Sequence, residues 1–208
     1  MALQGLGQIS LWRQDYPAAQ AFFAEALAKC EAAGDERGRA AALHGLGNIA
    51  LREGRPEEAE RLLRQALALR LAGQNEAATA GTLGSLGQLA MARGDHEEAE
   101  RLIREVVRRY NRLGQRSLMG LCLTNLSQIA EAQGRTERST CLLAAAGILR
   151  ARFNFRIPPV EQAAHEATLA EKRDLLGAAR FRAAWDQGLA FTWEEALAYA
   201  LSDEEALT

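Results

Sequence analysis

Four segments of this chain repeat without gaps at a spacing of 40 residues. The copies begin at Leu3, Leu43, Leu83 and Leu123. In register they align Leu6, Leu46, Leu86 and Leu126, and again Ile9, Ile49, Leu89 and Ile129. A tandem unit of this size is one supersecondary element that cannot bury its apolar face alone, so its neighbours must stack on it. That restricts the chain to an array built along one axis.

Each copy reads as two antiparallel helices. In the second copy Leu43, Leu46, Ile49 and Ala50 recur at helical spacing and form the inner stripe of a first helix. Gly54 stops it, because glycine enters the left-handed conformation at no steric cost. Pro56 suits the first turn of a second helix, which carries Ala59, Leu62, Leu63, Ala66 and Leu67 as its stripe. Glu57 before Arg61 and Glu60 before Arg64, with Glu97–Arg101 and Glu100–Arg104 in the third copy, are outer-face pairs at i,i+4. Gly7 with Ala19, Gly47 with Ala59, and Gly87 with Ala99 are small in matching positions, as close helix crossing demands. Ser127 and Ser139 occupy those positions in the fourth copy, which predicts looser packing or a hydroxyl–carbonyl bond. Gln14 stands where the other copies have Gly54, Gly94 and Gly134, so the first turn is expected to rely on Asp15.

The arrangement of Leu46, Gly47, Ala50, Gly54, Ala59, Leu63 and Ala66 resembles the tetratricopeptide repeat, in a form longer than usual. The resemblance implies an all-α, right-handed α-solenoid of four helix pairs over residues 1–150. Residues 151–208 are expected to form a C-terminal helical cap packed on the last pair, one structural unit with it, because a terminal repeat otherwise exposes an apolar face. Pro158 and Pro159 break any helix running through them. The next helix is expected over about Val160 to Leu176, with Val160, Ala163, Ala164 and Ala167 as its apolar set. A shorter one runs through Phe181–Gln187 and ends at Gly188, and Thr192 with Glu195 reads as a capping box opening a last helix to Leu201.

The tail carries a second resemblance. Leu142–Arg150 (LLAAAGILR), Pro158–Glu161 (PPVE), Leu175–Gly177 (LLG), Phe181–Gly188 (FRAAWDQG) and Trp193–Leu201 (WEEALAYAL) resemble the C-terminal end of bacterial LuxR/MalT-like signal-transduction ATPase regulators. That resemblance implies a sensory or interaction end placed after an ATPase domain. No GxxxxGK[ST] loop and no basic helix-turn-helix occur here, so the chain is expected to be a fragment or a stand-alone remnant. The alternative is a self-contained scaffold that binds a protein or peptide tail, with no regulatory ATPase.

Composition excludes several classes. A net charge of −2 with no concentrated basic run argues against nucleic-acid binding by this segment. No run of 18 apolar residues spans a membrane and no signal peptide is read at the N-terminus, so a cytoplasmic protein is expected. Cys30, Cys122 and Cys141 fit no CxxC spacing and read as free thiols. His44, His96 and His165 lack a second His or Cys at i+3 or i+4, and no Ser or Cys sits in a G-x-S-x-G turn. No metal, no cofactor and no catalysis are expected.

The functional signal is a row of amides. Gln8, Asn48, Gln88 and Gln128 hold one register in all four copies. By resemblance that position faces the concave groove, where an amide, both donor and acceptor, can grip an extended peptide backbone. Trp12, His44, Arg52, Met91 and Thr124 are its expected neighbours, with Gln4, Gly84 and Glu131. The set suits a peptide, a protein or a small polar effector. The structural alternative is that the amides bond to one another from copy to copy. Leu3, Leu6, Ile9, Ser10 and Leu11 form an apolar first-helix stripe with no upstream copy to cover it, so a homodimer through the N-terminal repeat is expected.

Overall fold

The structure, a computed structural model, describes residues 2–153 and 159–202. The described residues form helices in pairs: α1 (Ala2–Trp12) with α2 (Tyr16–Ala33), α3 (Glu36–Arg52) with α4 (Pro56–Ala72), and α5 (Glu76–Ala92) with α6 (His96–Arg112). A short 3₁₀ turn, Arg116–Leu118, leads into α7 (Met119–Ala132) and α8 (Thr136–Arg152). Three further helices follow: α9 (Pro159–Leu176), α10 (Ala178–Ala190) and α11 (Trp193–Leu201). The chain is an all-α solenoid of helix pairs. It divides into two compact units, Met1–Leu102 and Ile103–Thr208, and the division falls within α6.

In the first unit, turn chemistry sets each pair. Gly54 and Gly94 lie at φ 72° and 78°, the left-handed region that glycine enters freely. Gln14 takes the same conformation at φ 59° without that freedom, and Asp15 then caps α2 by accepting from the Ala18 N–H at 3.1 Å. The core is built on Phe23, which packs with Ala19 and Ile49, and on Leu43, Leu62 and Ala66. A Cβ added to Gly7 or Gly45 would lie 2.8 or 2.5 Å from the Phe23 ring, so two glycines make the slot that this ring fills. One on Gly47 would meet Leu63 Cγ at 2.8 Å. Among the outer charges Arg64 pairs with Glu60, as expected, but Glu57 lies 3.7 Å from Arg93 of the next pair, which also bonds Glu60 at 2.5 Å.

In the second unit the fourth pair has the hydroxyl–carbonyl bond its serines predict: Ser127 Oγ donates to the Ser139 carbonyl at 2.8 Å and lies 3.0 Å from Ser139 Oγ. Helices α9, α10 and α11 all pack on α8, so α8 is buried almost all round, from Arg138 to Ala146 and at Leu149. The prolines' expected break lies partly outside the described residues. Two expectations for the tail are overturned. Helix α10 runs two residues past Gly188, whose role is contact: a Cβ there would stand 2.2 Å from the Cys141 carbonyl oxygen. In α9, Ala163, Ala164 and Ala167 are exposed, and among the described side chains of this helix the buried one is Lys172; the side chain of Val160, the fourth of the expected set, lies outside them. The capping box at Thr192 is present with both its bonds. The last carbonyls of α11 are closed by cations: Arg138 donates to Tyr199 and Ser202 at 2.9 and 3.0 Å, and Arg104 to Ser202 at 2.7 Å.

Candidate functional site

In the first unit the amide register falls just beside the helix contact. Gly47 and Gly87 are buried against their partners, and the next residue along the helix turns outward. Gln8 and Gln88 are exposed and Asn48 is half-buried. Among the described residues, the side chains of Gln8 and Gln88 make no hydrogen bond, so the row is not bonded from copy to copy. Asn48 Nδ2 instead lies 3.4 Å from His44 Nε2.

Bonds between copies occur four residues earlier in the register. Gln4 Nε2 donates to the Gly38 carbonyl at 2.9 Å, and His44 Nε2 meets Ser85 Oγ at 3.1 Å. The Asn48 Nδ2 group only donates, so His44 Nε2 accepts there and the ring proton belongs on Nδ1. Burial pushes the His44 pKa down to about 3, with the nearby Arg70 charge adding to the effect and a hydrogen bond with the Gly81 backbone opposing it. His44 is therefore neutral. Arg70 itself is buried, with its guanidinium on the Ala78 carbonyl at 2.8 Å and on Thr82 Oγ1. His44 and Arg70 are thus joints between successive pairs. Of the other expected residues, Trp12 is 77% exposed at the end of α1, Arg52 is exposed in the last turn of α3, and Met91 is half-buried in the last turn of α5.

In the second unit, Thr124 and Gln128 stand on one wall of a cleft of about 570 Å³. Helix α7 gives that wall, α8 contributes Ser139, Leu143 and Arg150, and α9 forms the opposite side with His165, Thr168 and Lys172. Gln128 is exposed and makes no hydrogen bond among the described residues; the Thr124 hydroxyl donates back to the Gly120 carbonyl at 2.9 Å. Lys172, only 3% exposed, donates to the Glu131 carboxylate and to Ser139 Oγ at 2.7 Å. Burial pushes the Glu131 carboxyl upward, and the bonds from Lys172, Ser139 and Thr136 outweigh it, holding the group below its ordinary value. The α9 wall was not foreseen from the sequence, where Lys172 lies within the charged run Glu171–Asp174 and nothing in that run marks it as the buried member.

Burial pushes the thiols of Cys122 and Cys141 up to about 12 and about 11, far from the thiolate a nucleophile needs. Among the described residues no three His, Cys, Asp or Glu side chains gather as a metal set, and no helix is long and apolar enough to cross a membrane. Residues 1–72 and 79–113 match the tetratricopeptide repeat family. No curated protein matches the chain.

Proposed function

This chain carries a tetratricopeptide repeat domain, a protein–protein interaction module, and we propose that it binds an extended peptide or protein segment along the row of first helices. The observation that carries this reading is the state of the amides. Gln8 and Gln88 are exposed, hold one register and have no internal hydrogen bond, so donor and acceptor are both available to a partner's backbone. Trp12 and Arg52, one turn along, add an apolar face and a charge, and Asn48 and Met91 complete the set in the first unit; Thr124 and Gln128 hold the corresponding register in the second.

The tail motifs support placing this domain at the sensory end of a bacterial LuxR/MalT-like ATPase regulator, where a bound partner would bias the activity of the parent protein. In that role residues 1–150 are the recognition array, residues 151–208 its cap, and the location cytoplasmic. Leu6 and Ile9, each 45% exposed, and Trp12 support self-association through α1. Sedimentation at high concentration tests that contact, and monomer alone argues against it.

Panning a library of unstructured peptides on the whole chain tests the groove. Enriched binders are expected to lose affinity about tenfold or more on Gln8→Ala/Gln88→Ala, with the melting temperature within a few degrees of wild type, since neither amide bonds to the fold. Binders indifferent to both substitutions would place recognition elsewhere.

A further inference from the structure

Between α2 and α4 a cleft of about 430 Å³ lies over α3, and every residue of its lining belongs to the first unit and is described. Its floor is leucine. Leu43 and Leu62 are buried there, and Leu27 and Leu46, packed against them, stay half-buried. Leu46 stands two residues before Asn48 and therefore on the other side of α3 from the amide row. The volume is that of a small-molecule site, and it is too small for a docked helix, which is about 10–12 Å across.

The charges of the rim are paired except for one. Glu31 lies 3.8 Å from Arg39, which also holds Glu36, and Arg55 bonds both Glu53 and Glu58. Arg61 remains. Its i,i+4 neighbour Glu57 lies beside Arg93 instead, and Arg61 makes no hydrogen bond or ion pair among the described residues. The next copy differs at this point. Arg101, in the register of Arg61, bonds Glu98 at 2.6 and 2.7 Å. Asp95, which accepts from the Glu98 N–H, stands there in the register of Arg55, so no second arginine competes for Glu98 as Arg55 does for Glu58. The mouth differs too. Ala24 is exposed beside the leucines, whereas its register in the second copy holds Arg64, a long side chain tied to Glu60 at 2.9 Å. An uncovered apolar floor and an unpaired cation thus coincide between α2 and α4.

We propose that this cleft binds a small amphiphilic acid, an alkyl carboxylate whose chain lies over Leu27 and Leu46 and whose acid group meets Arg61. Apolar surface draws the chain, and the remaining cation sets the sign of the head, because a guanidinium takes a carboxylate through two parallel N–H groups. A cationic amphiphile would meet three arginines and find both carboxylates, Glu31 and Glu58, already held. Gln20 and Gln65, neutral and without an internal hydrogen bond, add no charge that would repel the acid. This site goes beyond the peptide reading and shares no residue with it.

The test is an NMR titration of the full chain, following the backbone amides, with sodium octanoate, sodium acetate and octanol at matched ionic strength. The expected result is one saturating site for octanoate in the sub-millimolar range, with its shifts centred on Ala24, Leu27 and Arg61. Octanol is about tenfold weaker for want of the charge, and acetate, without the chain, does not saturate. Arg61→Gln brings octanoate down to the level of octanol, and Arg61→Lys keeps part of the difference. Arg55→Asp sets the third copy's residue in the second and frees Glu58 for Arg61, so octanoate weakens about tenfold. That variant keeps its fold, because Arg55 makes no side-chain cap bond and aspartate is the better N-cap. Octanoate no tighter than octanol, shifts that do not saturate or that centre outside α2–α4, or an affinity unmoved by either substitution would overturn the site. Peptide capture through Gln8 and Gln88 stands or falls separately.

Discussion

Lys172 and Glu131 form one ion pair, yet they are not equally placed. The lysine side chain is 3% exposed and the glutamate 33%. Removing one partner of a pair strands the other, and the cost depends on whether the survivor still reaches water. Glu131→Met leaves an ammonium in the interior with, among the described residues, Ser139 Oγ as its remaining hydrogen-bond partner, 2.7 Å away. A stranded buried charge costs about 3–5 kcal/mol, and about 3 kcal/mol is expected because the bond to Ser139 remains. Lys172→Met leaves a carboxylate that keeps Thr136 at 3.4 Å and a third of its surface in water. About 1 kcal/mol is expected there, offset in part by the apolar side chain filling the same space.

The two substitutions are therefore unequal, and the double variant lands within about 1 kcal/mol of Lys172→Met alone, because no charge is left unpaired. Urea unfolding of the full-length variants measures all three values, and hydrogen exchange in α9 reports where the loss is felt. A Lys172→Met variant as damaged as Glu131→Met would refute the burial argument. So would a double variant whose loss equals the sum of the singles.

Three further perturbations follow from the geometry. Gln74 sits at φ 50°, a left-handed conformation costing a non-glycine residue about 1–2 kcal/mol; Gln74→Gly is expected to stabilise by about 0.5–1 kcal/mol after the entropy of glycine is charged, and a lowered urea midpoint would contradict it. His44 has a folded pKa of about 3, below that of the unfolded chain, so its contribution is complete above about pH 6.5 and is lost as pH falls. Between pH 7 and 5 wild type should lose more stability than His44→Gln, by up to about 1.4 kcal/mol per pH unit, and parallel curves would remove His44 as the cause. Gly188→Ala forces α10 away from the Cys141 carbonyl and should cost about 1–3 kcal/mol despite alanine's better helix propensity; a neutral result in calorimetry would mean that α10 shifts freely on α8.

What the sequence made legible is what short-range chemistry decides. Helix pairs follow from apolar spacing, and the Thr192 capping box and the Ser127–Ser139 bond each need only two residues at a set distance. The left-handed turn of the second copy shows where this fails. Gly73 is the glycine at hand, but it lies at φ −81°, and its neighbour Gln74 takes the strained position. The reason lies one residue on: Asn75 caps α5 by accepting from Ala78 N–H, as Asp35 caps α3 from Gly38 N–H, and that cap fixes which residue turns. Helix α9 fails for a different reason. Periodicity weighs apolar surface, and this helix exposes its alanines and buries a lysine that pairs with a residue 41 positions earlier, a contact that no local spacing encodes. The amides illustrate both limits at once. Their register was readable from the repeat, but a half-buried Asn48 beside His44 and an exposed Gln88 occupy the same register with different neighbours. A repeat specifies where a residue stands; only the packed neighbours decide whether its hydrogen bonds remain for a partner.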